Sequence, residues 1–190
     1  MNKPNSFAII KIILTIIMII LLLMPWYEVG ITFPRFLVGG IYISSKYLIS
    51  GGIFLIASVI GLISKKSYKE DMLNHVIDVM LIDTAVIILA SQSFINTFIP
   101  IMIILYDIVT YGFRLELLNK GKIIIESSSN KIRMITLIIG ITLTFFYNLP
   151  FELLNINISD FLLYFSSVMT IFSIYEYYQK NKKSLLAKED

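Results

Sequence analysis

Five ionisable side chains stand inside long apolar stretches of this chain: Lys11, Asp78, Asp83, Asp107 and Arg114. A charge in hydrocarbon is costly, so such groups pair, line a polar pathway or hold a ligand. Asp78 and Asp83 are five residues apart, a rotation of about 500° on a helix, so they do not share a face. Asp107 and Arg114 are seven apart, about two turns, and roughly share one. His75, the single histidine, precedes Asp78 by one turn. That spacing suits acid–base or metal chemistry, but one His beside one Asp makes a thin site, and a solvated interfacial imidazole is the simpler expectation. Arg114, Lys131 and Arg133 bracket a polar segment. Fixed cations at a membrane surface suit phosphate oxygens, and they suit plain anchoring equally well. The chain has no cysteine, which excludes a thiol nucleophile, a disulfide framework and a Cys-ligated metal.

The elements that carry these residues follow from composition. The chain is 57% hydrophobic and 15% charged, with a mean hydropathy of +0.81. A soluble domain runs about 45–50% apolar and about 25% charged. A soluble globular enzyme and a disordered chain are both disfavoured. Six apolar stretches lie at 7–23, 47–63, 76–90, 99–113, 132–147 and 161–178. Apolar runs of this length read as membrane helices, because open strands cannot satisfy their backbone in lipid. Six spans of about 20 residues use most of the 190, leaving a single integral membrane domain over 1–190 and no room for a soluble one. The first stretch is long for a signal core and lacks a small-residue cleavage site, so it is expected to be a retained helix. Ser50, Gly51 and Gly52 are small enough to permit close helix contact. Pro100 falls in a first turn, where proline is tolerated. Residues 31–46, with Pro34, Arg35, Gly39 and Gly40, are expected to form an interfacial helix or a loop.

Lys and Arg bias predicts orientation. Lys3, the segment with Lys65, Lys66 and Lys69, the segment from Arg114 to Arg133, and the tail with Lys180, Lys182, Lys183 and Lys188 fall on one side of an even number of spans. The other side holds only Arg35 and Lys46. The expectation is a multi-pass protein of the cell membrane, bacterial, with both termini cytoplasmic.

Four short stretches carry a family likeness. Met1-Asn2-Lys3-Pro4-Asn5 resembles an Asn-x-Pro-Asn opening. Tyr111-Gly112-Phe113-Arg114 resembles Thr-Gly-Leu-Arg at the end of a fourth span, and Asn130-Lys131-Ile132-Arg133 resembles Gly-Lys-x-Lys. Asn148-Leu149-Pro150-Phe151-Glu152-Leu153 resembles a stretch before a last helix. In order and spacing the chain resembles the CDP-alcohol phosphatidyltransferase family. The resemblance implies an all-α bundle of six transmembrane helices, a homodimer, and transfer of a phosphatidyl group from CDP-diacylglycerol to an alcohol. It also implies four aspartates holding two divalent metals, the last acting as base, in the pattern Asp-x2-Asp-Gly-x2-Ala-Arg-x8-Gly-x3-Asp-x3-Asp.

The chain departs from that pattern. Aligned on the flanking helices, Gly61 and Ser64 fall at the first two aspartates, Lys65 at the first glycine, Glu70 at the second, Asn74 at the third aspartate and Asp78 at the fourth. Two Mg²⁺ ions bring four positive charges and need carboxylate oxygens. Glu70, Asn74 and Asp78 are spaced by four and line one face if the helix starts early, so with His75 or Asp71 they could hold one metal. The expected catalytic set is therefore none, with Gly61, Ser64, Asn74 and Asp78 as vestiges. The anion-binding positions Arg114, Lys131 and Arg133 survive better.

The sequence reads as a catalytically degenerate member that binds a lipid or headgroup or serves a partner membrane protein. It carries no cofactor, and its partners are membrane phospholipid and a second copy or another membrane chain, with no nucleic acid. One alternative is an active CDP-diacylglycerol–glycerol-3-phosphate phosphatidyltransferase with an altered Mg²⁺ or Mn²⁺ site. A second is a small membrane subunit of an export or peptide-processing system.

Overall fold

The structure, a computed structural model, describes residues 6–63, 68–121 and 127–186, with side chains for all of these except 63, 68–73, 183, 184 and 186. Six helices form an all-α bundle: α1 (Ser6–Leu23), α2 (Ser45–Ile63), α3 (Tyr68–Ser91), α4 (Phe98–Asn119), α5 (Ser128–Phe145) and α6 (Ile158–Leu186). Each of the six predicted stretches falls on one helix, except that the fifth, 132–147, runs two residues past the end of α5 at Phe145. The third helix starts earlier than its apolar run, at Tyr68, and the last extends to Leu186.

Five of the six helices are by themselves long and apolar enough to cross a membrane. The remaining one, α5, carries Asn130, Lys131 and Arg133 in its first turns. Its apolar part, 134–145, covers only about 18 Å at ~1.5 Å per residue, against a hydrocarbon core of about 30 Å. It packs along α6 and also meets α2. The first helix presents Ile9, Ile12, Ile13, Ile16, Ile17 and Ile20 outward, each close to half exposed. An isoleucine face that would be costly in water is the natural lipid-facing surface of a membrane helix.

The shared core joins Met18 and Leu22 to Phe54, Ala57, Leu81, Ala85, Leu89, Ile103, Leu137, Ile141 and Leu163. Two glycines set close approaches. A Cβ on Gly51 would stand 2.7 Å from Phe145 Cβ, and one on Gly140 would stand 3.0 Å from Leu163. Gly51 thus makes the close contact expected of the Ser50-Gly51-Gly52 stretch, and Ser50 is fully buried beside it. Buried hydroxyls on these helices bond back to carbonyls one turn earlier, as Thr15 does to Lys11, Thr144 to Gly140 and Ser167 to Leu163. That satisfies polar atoms where no water reaches them.

Residues 31–46 correct the expectation of an interfacial helix or loop. They contain an antiparallel hairpin, β1 (Arg35–Val38) and β2 (Ile41–Ser44), in register Arg35 with Ser44 and Val38 with Ile41. Gly39 and Gly40 form its two-residue turn with φ of +58° and +88°. Positive φ at both positions is what a tight primed hairpin turn requires, and glycine supplies it without steric cost. The hairpin is held to the bundle by the Ser44 amide, which donates to Tyr147 Oη at 3.1 Å. Nearby, Tyr47 Oη hydrogen-bonds the Gln92 side chain. Asn148 closes this end: its amide nitrogen donates to the Ile156 carbonyl at 2.7 Å, and its oxygen accepts from the Ser159 amide at 3.1 Å, capping α6.

Candidate functional site

Among the described residues, two buried ionic groups lie between the helices, and the intramembrane charges singled out by sequence divide between them. The first joins α1 and α3. Lys11 is fully buried, and its Nζ donates to Asp78 Oδ1 at 2.8 Å and to the Asn74 carbonyl at 3.4 Å. Gly61 of α2 faces the same carboxylate, for a Cβ placed there would lie 2.5 Å from Asp78 Oδ1. The structure thus brings together three of the motif positions, Gly61, Asn74 and Asp78. Ser64 lies outside the described residues, as do the side chains of Glu70 and Asp71 and the Met1–Asn5 motif. The early start of α3 places Glu70, Asn74 and Asp78 on successive turns of one helix. His75 stands half-buried one turn from Asp78.

These residues do not fit a pair of divalent metals. The one described carboxylate is already neutralised by an ammonium 2.8 Å away, and Gly61 offers no ligand. A second cation placed beside Lys11 would meet like charge in a medium that screens it little. Among the described residues, no group of three His, Cys, Asp or Glu side chains could hold a metal ion. The cavity left between Ser58, Gly61, Asp78, Leu81, Met134 and Ile138 is about 20 Å³. That is room for about one water, not for a nucleotide.

The second group joins α3, α4 and α5. Arg133 is 1% exposed. Its Nη2 approaches Asp107 Oδ1 at 3.4 Å and Asn130 Oδ1 at 3.3 Å, and Nε reaches the same Asn130 oxygen at 3.3 Å. Its Cζ lies 3.7 Å from the centre of the Tyr106 ring. Asp83 is close enough to act electrostatically on Asp107, and Arg114 is close enough to act on both Asp107 and Tyr106. Asp78 and Asp83 therefore serve different clusters, as their five-residue spacing predicts, while Asp107 and Arg114 serve the same one.

The basic trio does not form one open cradle. Lys131 is exposed, whereas Arg114 and Arg133 are 6% and 1% exposed, with Arg133 committed to Asp107, Asn130 and Tyr106. The start of α5 is also engaged. Ser127 caps it by accepting from the Asn130 amide at 3.0 Å, and the Ser128 and Ser129 amides donate to the Glu176 carboxylate at 3.1 and 2.9 Å. Lys180 closes the arrangement with a 2.7 Å ion pair to Glu176. A helix N-terminus is a natural phosphate site, and here a carboxylate from α6 fills it. The Lys11 pairing was open to sequence reasoning, since a lysine in an apolar helix needs a partner, but its choice of Asp78 over Asp83 or Asp107 depends on how α1 packs.

No family model matches the chain. Among curated proteins, the CDP-diacylglycerol–glycerol-3-phosphate 3-phosphatidyltransferase of Bacillus subtilis (strain 168) is 29% identical over 192 residues, covering 97% of each chain. The likeness carried by the short motifs thus extends along nearly the whole protein.

Proposed function

On the premise that this chain is a membrane protein of the CDP-alcohol phosphatidyltransferase family, we propose that it is a catalytically degenerate member, which binds a phospholipid headgroup without transferring it. The observation that carries the reading is the Lys11–Asp78 pair at 2.8 Å, set against Gly61. A pyrophosphate leaving group needs strong electrophilic stabilisation, which divalent metals held by carboxylates supply. At the motif positions of this chain an internal ammonium takes up the remaining carboxylate. Asp78 is then a salt-bridge partner, not a free base. Headgroup contact falls to Lys131, exposed on the first turn of α5, with the buried Arg114 and Arg133 behind it as a positive field.

The test is turnover. Purified protein given CDP-diacylglycerol and glycerol 3-phosphate with Mg²⁺ or Mn²⁺ is expected to release no CMP and form no phosphatidylglycerophosphate. Turnover that disappears in Asp78→Asn would overturn the reading. It would favour the second one, an active phosphatidyltransferase with an altered metal site, which draws support from the Bacillus relative, a phosphatidyltransferase by name.

The same reading includes a homodimer, a bacterial origin and both termini in the cytoplasm. Orientation rests on the Lys and Arg bias toward the end that carries the α4–α5 connection. A cysteine introduced at Ser128 should resist a membrane-impermeant thiol reagent in intact cells and react after lysis. Labelling from outside would reverse the orientation.

A further inference from the structure

The end of the bundle away from the Lys11–Asp78 pair holds a cavity of about 430 Å³ between the α1–β1 connection, the hairpin and the start of α2. Trp26, Tyr27, Thr32, Phe33, Arg35 and Lys46 are among the residues that line it. Its size falls in the range of about 300–1,000 Å³ in which ligand pockets lie. Arg35 and Lys46 are the two cations that charge bias assigns to this side of the membrane, and both line this one cavity. Neither forms an ion pair with a carboxylate among the described residues. The wall between them is aromatic: Trp26 and Phe33 meet edge to face at 5.9 Å, and Trp26 Nε1 donates to the Leu21 carbonyl at 2.8 Å, which fixes the indole.

The surroundings say what reaches this cavity. The hairpin beside it presents Phe36, Leu37, Val38 and Tyr42 outward, 50%, 63%, 41% and 72% exposed. Such a strand pair in water would be an aggregation site, whereas aromatic and aliphatic side chains with a few cations belong at the membrane interface. Unlike the sealed Lys11–Asp78 pair, this pocket is open. Its mouth therefore lies at the depth of lipid headgroups. We propose that the cavity lined by Trp26, Phe33, Arg35 and Lys46 binds the phosphodiester headgroup of an anionic phospholipid in the leaflet on the hairpin side. The Arg35 guanidinium and the Lys46 ammonium pair with the phosphate oxygens, and the aromatic wall packs on the glycerol portion. The proposal stands apart from the turnover question, since it uses none of the residues at the opposite end.

Trp26 is the single tryptophan of the chain, so its emission reports on this cavity alone. Protein in a neutral detergent is titrated with short-chain phosphatidylglycerol, short-chain phosphatidylcholine and inorganic phosphate. Phosphatidylglycerol is expected to change Trp26 emission saturably, at a concentration at least about tenfold below that for phosphatidylcholine. The Arg35→Gln/Lys46→Gln double variant should raise the half-saturation point about tenfold or more, because two charge-assisted contacts are lost. The charge-conserving Arg35→Lys/Lys46→Arg variant should retain saturable binding, which separates loss of the site from failure to fold. An unchanged half-saturation point in the Gln variant would overturn the proposal, as would an equal response to phosphatidylcholine. A phosphate response as strong as the lipid response would assign the site to soluble phosphate and overturn the lipid assignment.

Discussion

The two buried ionic groups solve one problem in different ways. Lys11 of α1 reaches two groups on α3, Asp78 at 2.8 Å and the Asn74 carbonyl at 3.4 Å, with a glycine opposite and a cavity of about 20 Å³ beside them. Arg133 is held at longer range, 3.3–3.4 Å, by Asp107 and Asn130 together, with the Tyr106 ring against its face and Asp83 and Arg114 close by. A network with several partners is architecture: each member has a reason to be where it is that does not depend on any one other. A pair set against a glycine depends chiefly on the short contact between its two members. The distinction matters for what mutation does to each.

The largest expected effect is at the network. Arg133→Met takes from Asp107 the guanidinium 3.4 Å away, leaving it the influence of Arg114, and removes the contacts to the Asn130 side chain and the Tyr106 ring. Breaking one side of a buried pair costs about 3–5 kcal/mol, read as a lowered midpoint of unfolding in mixed micelles. Arg133→Lys should recover only part of this, because a point charge cannot make the two contacts of a planar fork. An Arg133→Met protein as stable as wild type would show that the cluster is ornamental to the fold.

The pair should behave more simply. Lys11→Met alone takes the ammonium away from Asp78 and is expected to cost about 3 kcal/mol, at the low end of the range because the Asp78 side chain is 12% exposed. The double variant Lys11→Met/Asp78→Leu should return to within about 1 kcal/mol of wild type, since replacing both members of a buried pair with apolar groups is often neutral. The matching Arg133→Met/Asp107→Leu variant should not recover, because Asn130 and Asp83 stay behind. Equal recovery of both double variants would erase the contrast between pair and network.

Gly61 gives a smaller and more local effect. In Gly61→Ala the new Cβ falls 2.5 Å from Asp78 Oδ1, so the carboxylate that Lys11 holds must shift. Overpacking of this kind costs about 1–3 kcal/mol. Gly52 is the control on the same helix: a Cβ there meets nothing within 4 Å, so Gly52→Ala should be neutral or slightly stabilising. If the two alanine variants unfold together, Gly61 is not what makes room for the pair.

The sequence foretold these clusters unevenly, for physical reasons. Helix count and the split of Asp78 from Asp83 follow from hydropathy and from the angular spacing of a helix, which need no tertiary information. Residues 31–46 read as an interfacial helix or a loop, and the hairpin is missed, although Gly39-Gly40 between Arg35-Phe36-Leu37-Val38 and Ile41-Tyr42-Ile43-Ser44 is the turn signal that could have found it. Its apolar surroundings hide the alternation that marks a strand in water. Which carboxylate Lys11 takes was not legible, because it depends on how α1 lies against α3. Nor could the sequence say that Glu176, some 48 positions along, would supply the anion at the start of α5. Arg133 misled for a related reason. It was grouped with Lys131 as a surface cation, yet residues two apart on a helix point to different faces, one outward and one into the bundle.

That difference supports the smallest prediction, which concerns Lys131 alone. Its side chain is exposed and has no part in either buried cluster, so Lys131→Gln should leave the unfolding midpoint unchanged. The expected effect is on lipid: native mass spectrometry with phosphatidylglycerol should show less retained lipid in Lys131→Gln than in wild type. Arg114→Ala is the informative companion. If Arg114 supports a headgroup near Lys131, it also loses lipid, together with some stability from its place near Asp107 and Tyr106. If Arg114 serves the buried network alone, stability falls and lipid retention does not. Equal retention in all three proteins would remove headgroup binding from this end of the bundle and leave its cations to orientation. The Lys11–Asp78 pair would then stand as the closure of a site with no remaining ligand at that end.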